Sequence, residues 1–153
     1  MRIIGGEARG AHLNGPPDRG TRATADKVRE AIFNVLAPYI EGARVLDLFA
    51  GTGALGIEAL SRGAVSCDFV ERRAALCAII RENLAHAHVA ERGRAIQSSV
   101  HQVLSTLPGP YDLILADPPY LEADGPALIG SPTLHRLVNN GGRRAGIAPA
   151  SAR

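Results

Sequence analysis

Long apolar runs are missing from this sequence. None approaches the ~20 residues needed to cross a bilayer, which excludes a membrane helix. The amino terminus carries no apolar signal core, so a cytoplasmic protein is expected. Cysteine is scarce: Cys67 and Cys77 are the two present. They lack metal-ligand spacing and, without an export signal, read as buried reduced thiols. No other ligand cluster is seen, and no metal is expected. An excess of one charge is lacking as well. With 17 basic and 15 acidic residues the net charge is +2, so any attraction to nucleic acid must come from a local patch. Lysine occurs once, at Lys27, and the other basic residues are arginines. Arginine suits phosphate forks, although codon bias alone gives the same composition. Repeats and low-complexity linkers are absent. What remains is an ordinary globular composition, 46% hydrophobic and 21% charged over 153 residues. That length suits one domain, able to bury roughly 68–70% of its unfolded surface.

The stretch Val45 to Glu58, VLDLFAGTGALGIE, organises the chain. Val45-Leu46-Asp47-Leu48-Phe49 reads as a buried parallel strand. Gly51, Gly53 and Gly56 then turn it into a helical pattern. A strand passing through glycines into a helix brings bare backbone N–H groups toward a ligand at the positive end of the helix dipole. The spacing is G-x-G-x-x-G, and Glu71 follows Gly51 by 20 residues. This is the generic nucleotide-binding arrangement, with an acid placed for ribose hydroxyls. Several cofactors use it, so a nicotinamide-dinucleotide oxidoreductase stays open on this signal alone.

Along the chain, residues 1–17 are short, glycine-rich and basic. Arg2-Ile3-Ile4 and Ala11-His12-Leu13 are placed to pair as a hairpin. It is either a plain edge hairpin or an arm touching nucleic acid through Arg2 and Arg9. Pro16 to Gly20 is a loop. Thr24 to Ala37 is a helix with Thr24 as N-cap. Val28, Ala31, Ile32, Val35 and Leu36 form one apolar face. Arg22, Lys27, Arg29 and Glu30 fall off it, as a solvated face or as a basic cluster closing over a cofactor.

From Arg44 strands and helices alternate. Strands are expected at Ala43–Ala50, Val65–Glu71, Ala95–Ser99 and Tyr111–Asp117. Helices are expected after the glycines, with Leu55, Ala59 and Leu60 inward, then at Arg73–His86 and Val100–Leu107. The second of these should bury Leu76, Ile79, Ile80 and Leu84. Such alternation makes a doubly wound α/β fold, a Rossmann-like parallel sheet of order 3-2-1-4 with right-handed crossovers. Ligands then bind at the carboxyl ends of the strands, where Asp47, Glu71, Ser99 and Asp117 fall.

Asp117-Pro118-Pro119-Tyr120 follows the fourth strand. Two prolines fix the backbone and remove its donors. The Asp117 carboxylate and the Pro118 carbonyl become adjacent acceptors, suited to an exocyclic amino group. Tyr120 can stack on a base.

These stretches carry a resemblance. Val45–Gly56 resembles motif I of S-adenosylmethionine-dependent methyltransferases, and DPPY their amino-methylating motif IV. RIIGGEARG, TRATADKVREAIFNVL and LDLFAGTGALGIEALSRGA together resemble the bacterial 16S rRNA guanine-N2 methyltransferases, RsmD, from Arg2 to about Leu121. DPPY alone also occurs in adenine-N6 DNA enzymes. The resemblance implies S-adenosyl-L-methionine as cofactor and 16S rRNA, or the assembling small ribosomal subunit, as partner. It implies that Asp47 holds the methionine end, with Phe49, Gly51 and Gly53 beside it. Glu71 would bind the ribose, with Arg72 next to it, and Ser98 and Ser99 would lie by the adenine. Thr24 would belong to the cofactor-closing segment. Asp117, Pro118 and Tyr120 would form the catalytic set. Arg2, Arg9, Arg22 and Arg29 would face RNA.

Two departures stand out. Ala23 replaces a usual proline. After Leu121 no apolar strand pattern continues, and the chain ends in a segment rich in Ala, Gly, Pro and Arg. The expected division is therefore a methyltransferase domain over 1–124, comprising a hairpin and helix over 1–42 and the cofactor-binding sheet over 43–124. Residues 125–153 are expected to be an atypical, disordered tail. Later strands would be missing, leaving strand four as an apolar edge that a second copy could cover. A truncated remnant that binds cofactor or RNA without catalysis is the remaining alternative.

Overall fold

The structure, a computed structural model, describes residues 1–15, 22–117 and 132–146. A first helix, α1 (Arg22–Leu36), precedes β1 (Arg44–Leu48). Then come α2 (Ala54–Ser61), β2 (Ser66–Glu71), α3 (Ala74–His86), β3 (Gly93–Gln97), α4 (Val100–Val103) and β4 (Tyr111–Ala116). The described residues close with α5 (Pro132–Leu137) and β5 (Val138–Gly146). All strand pairs are parallel, in the order β3-β2-β1-β4-β5. The expected 3-2-1-4 order and doubly wound class are therefore present.

Residue parity divides the core. Val45, Cys67, Phe69, Leu113 and Leu115 face one layer, built from the hairpin, α1, α2 and α3. Leu46, Leu48, Val70, Ile114 and Ala116 face a smaller layer with Val100, Val103, Leu104, Leu107 and Leu137. Strands buried on both sides need such unbroken apolar runs. The hairpin forms as a single antiparallel bridge between Arg2 and His12. Its Ile3 and Leu13 are fully inside the first layer.

Three expectations are corrected. First, α1 begins at Arg22, so Thr24 lies within its first turn and is not its N-cap. Second, the buried face of α1 is Arg29, Phe33 and Leu36, with Ile32 half-buried. Val28 and Val35 are 44% and 75% exposed. The helix is rotated from the expected face so that Phe33, fully buried, and Arg29 both point inward. Third, strand four is not an edge. β5 pairs along it, from Leu113↔Arg143 to Ala116↔Gly146, after a register shift from Tyr111↔Val138. Residues 132–146 are thus part of the sheet, while 125–131 and 147–153 lie outside the described residues. The apolar-run criterion failed because β5, the outermost strand among the described residues, is held by its backbone ladder and does not require burial on both faces. Arginines on it also suit an edge. With β4 covered, the reason for expecting a second copy on it disappears.

Candidate active site

Strand register sets the site. Leu48 pairs with Val70 on one side and Ala116 on the other. Glu71 and Asp117 therefore sit at the level of Phe49, one on each side of β1. Two inter-strand spacings place their backbones roughly 10 Å apart. Asp47 lies two residues lower on the same parity, that of Val45, Phe69 and Leu115. Three acids of three adjacent strands thus turn to one face, beside α2, where the glycine loop emerges.

Asp47 is 1% exposed. Its Oδ2 accepts the N–H of Gly56 at 3.0 Å, tying the strand to the first turn of α2. Its Oδ1 is buried and has no hydrogen-bond partner among the described residues. Burial pushes its carboxyl well above the usual range; the Gly56 N–H opposes this, and the charges of Asp117 and Glu71 add to it. Those two acids act electrostatically on Asp47, as the register implies.

The loop is held from several directions. Phe49 has φ of 55° and Gly51 has φ of 60°, both in the left-handed region, which a bulky residue rarely adopts without a local constraint. Gly51 donates its N–H to Glu71 Oε1 at 3.0 Å, and Arg73 donates to Oε2 at 2.9 Å. A carboxylate offers about four acceptor positions, so Glu71 keeps capacity for hydroxyl donors. Gly56 allows α2 to lie against β2. A β carbon there would stand 2.3 Å from the Phe69 ring and 2.7 Å from Cys67 Sγ.

The other expected residues divide. Ser98 donates its backbone N–H to Glu71 O at 3.1 Å, so it stands beside the site. The Ser99 hydroxyl accepts from Gln102 N at 3.2 Å and caps α4. Arg72 is exposed, as are Arg2 and Arg9. Asp117 donates its N–H to Leu48 O at 3.5 Å. Its side chain reaches the surface while protein flanks it, and this desolvation raises its carboxyl. Pro118 and Tyr120 lie outside the described residues, and Arg22 and Thr24 are placed by backbone alone in the first turn of α1. Both cysteines are buried and free, and burial raises both thiols.

Arg29, expected to face RNA, is buried. It is 5% exposed, donates to Asp26 Oδ1 and to the carbonyl of Arg2, and pairs with Glu58 at 3.6 Å. Glu58, absent from the expected set, is fully buried. It accepts the N–H groups of Ile4 and Gly5 at 3.0 and 2.9 Å and Arg62 Nε at 2.8 Å. One turn on, the Ser61 hydroxyl accepts from Ala8 N and donates to Gly5 O. This pair docks the hairpin onto the helix that follows the glycine loop. The available signal was two polar residues three apart in an otherwise apolar helix.

A polar cleft of about 650 Å³, lined by Glu7, Arg9, His86, His88, Glu91 and others, lies near the start of β3, away from the three acids. Among the described residues no helix is long and apolar enough to cross a membrane.

Relatives match this architecture. The Bacillus subtilis protein YlbH is 39% identical over 132 residues, covering 84% of this chain and 72% of its own length. Ribosomal RNA small subunit methyltransferase D of Escherichia coli is 42% identical over 120 residues, or 78% of this chain. The aligned region spans 60% of that relative's length. A solved structure of a hypothetical protein from Thermus thermophilus superposes with a TM-score of 0.80 at 31% identity, covering 94% of this chain and 83% of its own. With residues 1–140 matching the family model described as Conserved hypothetical protein 95, and with methyltransferase D among its relatives, the chain belongs to that family, as the RsmD resemblance implied.

Proposed function

We propose that this chain transfers a methyl group from S-adenosyl-L-methionine to an exocyclic amino group in ribosomal RNA, with guanine N2 of 16S rRNA in the small subunit as the acceptor. The observation that carries the reading is the row of three acids on one parity at the carboxyl ends of β1, β2 and β4, with the glycine loop among them. The relative named as a small-subunit rRNA methyltransferase supports the substrate class. An rRNA substrate places the work in the cytoplasm.

The residues fit the cofactor. Asp47 Oδ1 is a buried acceptor lacking a donor, which the ammonium of the methionine end supplies. Glu71, already tied to the loop, takes the ribose hydroxyls, and Ser98 stands next to it for the adenine edge. The bound cofactor contributes an electrophilic methyl group on a cationic sulfur, so no metal is required. Asp117 then accepts a hydrogen bond from the amino group and aims its lone pair. Its partly exposed carboxylate also offers the departing proton a route to solvent. Positioning and fixed charge therefore dominate over acid–base chemistry. Pro118 and Tyr120 are assigned the neighbouring acceptor and the stacking ring from sequence. Arg2, Arg9 and Arg22 are the proposed RNA contacts; Arg29, buried against Glu58, is not among them.

The test is methyl incorporation into unmodified small subunits and free 16S rRNA, with calorimetric titration of S-adenosylmethionine and of NAD. Asp117→Ala should lower transfer by at least ~100-fold, the scale of a misplaced reacting group, while changing cofactor affinity less than about twofold. Tight NAD binding without response to S-adenosylmethionine would support the oxidoreductase alternative. Cofactor binding with no transfer to either RNA would support a non-catalytic remnant.

A further inference from the structure

Asn83 is a polar side chain on the buried face of α3, and it is 0% exposed. Every polar atom of its amide is used. Its Oδ1 accepts the backbone N–H of Asn14 at 2.7 Å. Its Nδ2 donates to the Asn14 carbonyl at 2.9 Å and to the Thr52 carbonyl at 2.9 Å. Thr52 lies between Gly51 and Gly53, in the glycine loop. Asn14 lies where the hairpin ends and the chain heads toward α1, whose first turn carries Arg22 and Thr24. One amide thus grips the loop and the segment leading to α1, at sites 38 residues apart in sequence.

We propose that Asn83 is a positioning residue that couples the placement of the N-terminal segment to that of the cofactor loop, an inference that rests on the cofactor reading given above. The physical reason is satisfaction. A buried amide that loses one partner is left with an unpaired group in a low-dielectric surrounding, which costs more than the bond itself contributes. Release of Asn14 therefore loosens the hold on Thr52, and the reverse. The two segments are favoured together or freed together, and ligand binding to one is linked to the other. Nothing about Asn83 requires contact with the cofactor.

The test uses the full chain, S-adenosylhomocysteine as probe, and amide hydrogen exchange. Asn83→Leu keeps the number and branching of side-chain heavy atoms and removes all three bonds. Asn14→Pro deletes the N–H that Oδ1 accepts, and Asn14→Ala, which keeps that N–H, controls for the side-chain bond to Glu82 Oε2 that both variants lose; neither alters the loop. Leu84→Ala, a cavity on the same helix, serves as a structural comparison. In the free protein, Asn14→Pro should speed exchange at the Gly53 amide, and should do so no further in an Asn83→Leu background. Asn83→Leu should weaken binding of the probe roughly tenfold and abolish ligand-induced protection at Asn14. Leu84→Ala should lower thermal stability and leave both readouts in place. Unchanged Gly53 exchange in Asn14→Pro, or additive effects in the double variant, would overturn the coupling. If the parent chain binds no probe, the cofactor reading fails while the exchange cycle still decides the coupling. If Asn83→Leu does not fold, Asn14→Pro alone decides it.

Discussion

Replacing Glu58 by alanine should detach the N-terminal hairpin. The carboxylate is fully buried and takes two backbone N–H groups, Arg62 and the nearby Arg29. Alanine strands Arg29, itself 5% exposed, as a buried charge without its main partner. Removing one member of such a pair costs about 3–5 kcal/mol. The freed N–H groups of Ile4 and Gly5 would each add about 1–3 kcal/mol if they stayed dry. Those residues are only half-buried, however, and a loosened hairpin admits water to them, so the contributions overlap and the lower figure stands. A loss of about 3–5 kcal/mol is a third or more of the stability of many domains. It corresponds to a fall in Tm of about 6–20 °C at this chain length. Urea denaturation gives the magnitude. Amide exchange at Ile3, Gly10 and Leu13, whose N–H groups close the hairpin, gives the location. Glu58→Leu combined with Arg29→Met should recover much of the loss, because an apolar pair of similar volume replaces a buried ion pair at little cost. A Glu58→Ala variant within about 0.5 kcal/mol of the parent, with hairpin amides still protected, would refute the reasoning.

Two further outcomes follow from the loop. Gly56→Ala should lose about 1–2 kcal/mol, since a β carbon 2.3 Å from the Phe69 ring puts overpacking in the upper part of its usual range, about 2–3, and the better helix propensity of alanine returns about 1; thermal denaturation showing equal stability would contradict the close helix–strand contact. The raised carboxyl of Asp47 means the folded chain holds that proton more tightly than the unfolded chain does. Its contribution to stability is therefore most favourable below about pH 4, the ordinary aspartate range, and is lost as pH rises through the raised folded-state pKa. A bound ammonium favours the ionised form, so S-adenosylmethionine should release protons on binding within that window. Calorimetry in buffers of different ionisation enthalpy reads the release, and identical heats would exclude the pairing.

The legible parts were those governed by local geometry. Glycine spacing marked the turn after β1 because only that backbone lets a strand enter a helix so tightly, and strand parity followed from the apolar runs around Val45, Phe69 and Leu115. What escaped depended on partners distant in sequence. Glu58 and Asn83 look like solvated helix positions until the hairpin is folded over one and Asn14 against the other. Arg29 looked like a surface cation for the same reason, but it is buried with Phe33 and Leu36 while Val28 and Val35 face outward. The β5 strand was missed because VNNGGRRAG has none of the apolar continuity of an interior strand, and an outer ladder does not need it.

The unequal covering of the sheet has a consequence for how the chain opens. Among the described residues one face carries the hairpin and three full helices, while the other carries α4, α5 and the segment around Leu104 and Leu107. Local opening is easiest where least apolar surface is buried. Excursions from the native state are therefore expected to begin on the face of α4 and α5, while β1, β2 and the hairpin remain assembled. In that excursion Glu71 would still hold Gly51 and Asp47 would still hold Gly56, while β4, which leads to Asp117, would keep only its pairing with β1. On the proposed reading, the glycine loop and its carboxylate ties would outlast the outer flank of β4, the strand that leads to the proposed acceptor-positioning Asp117.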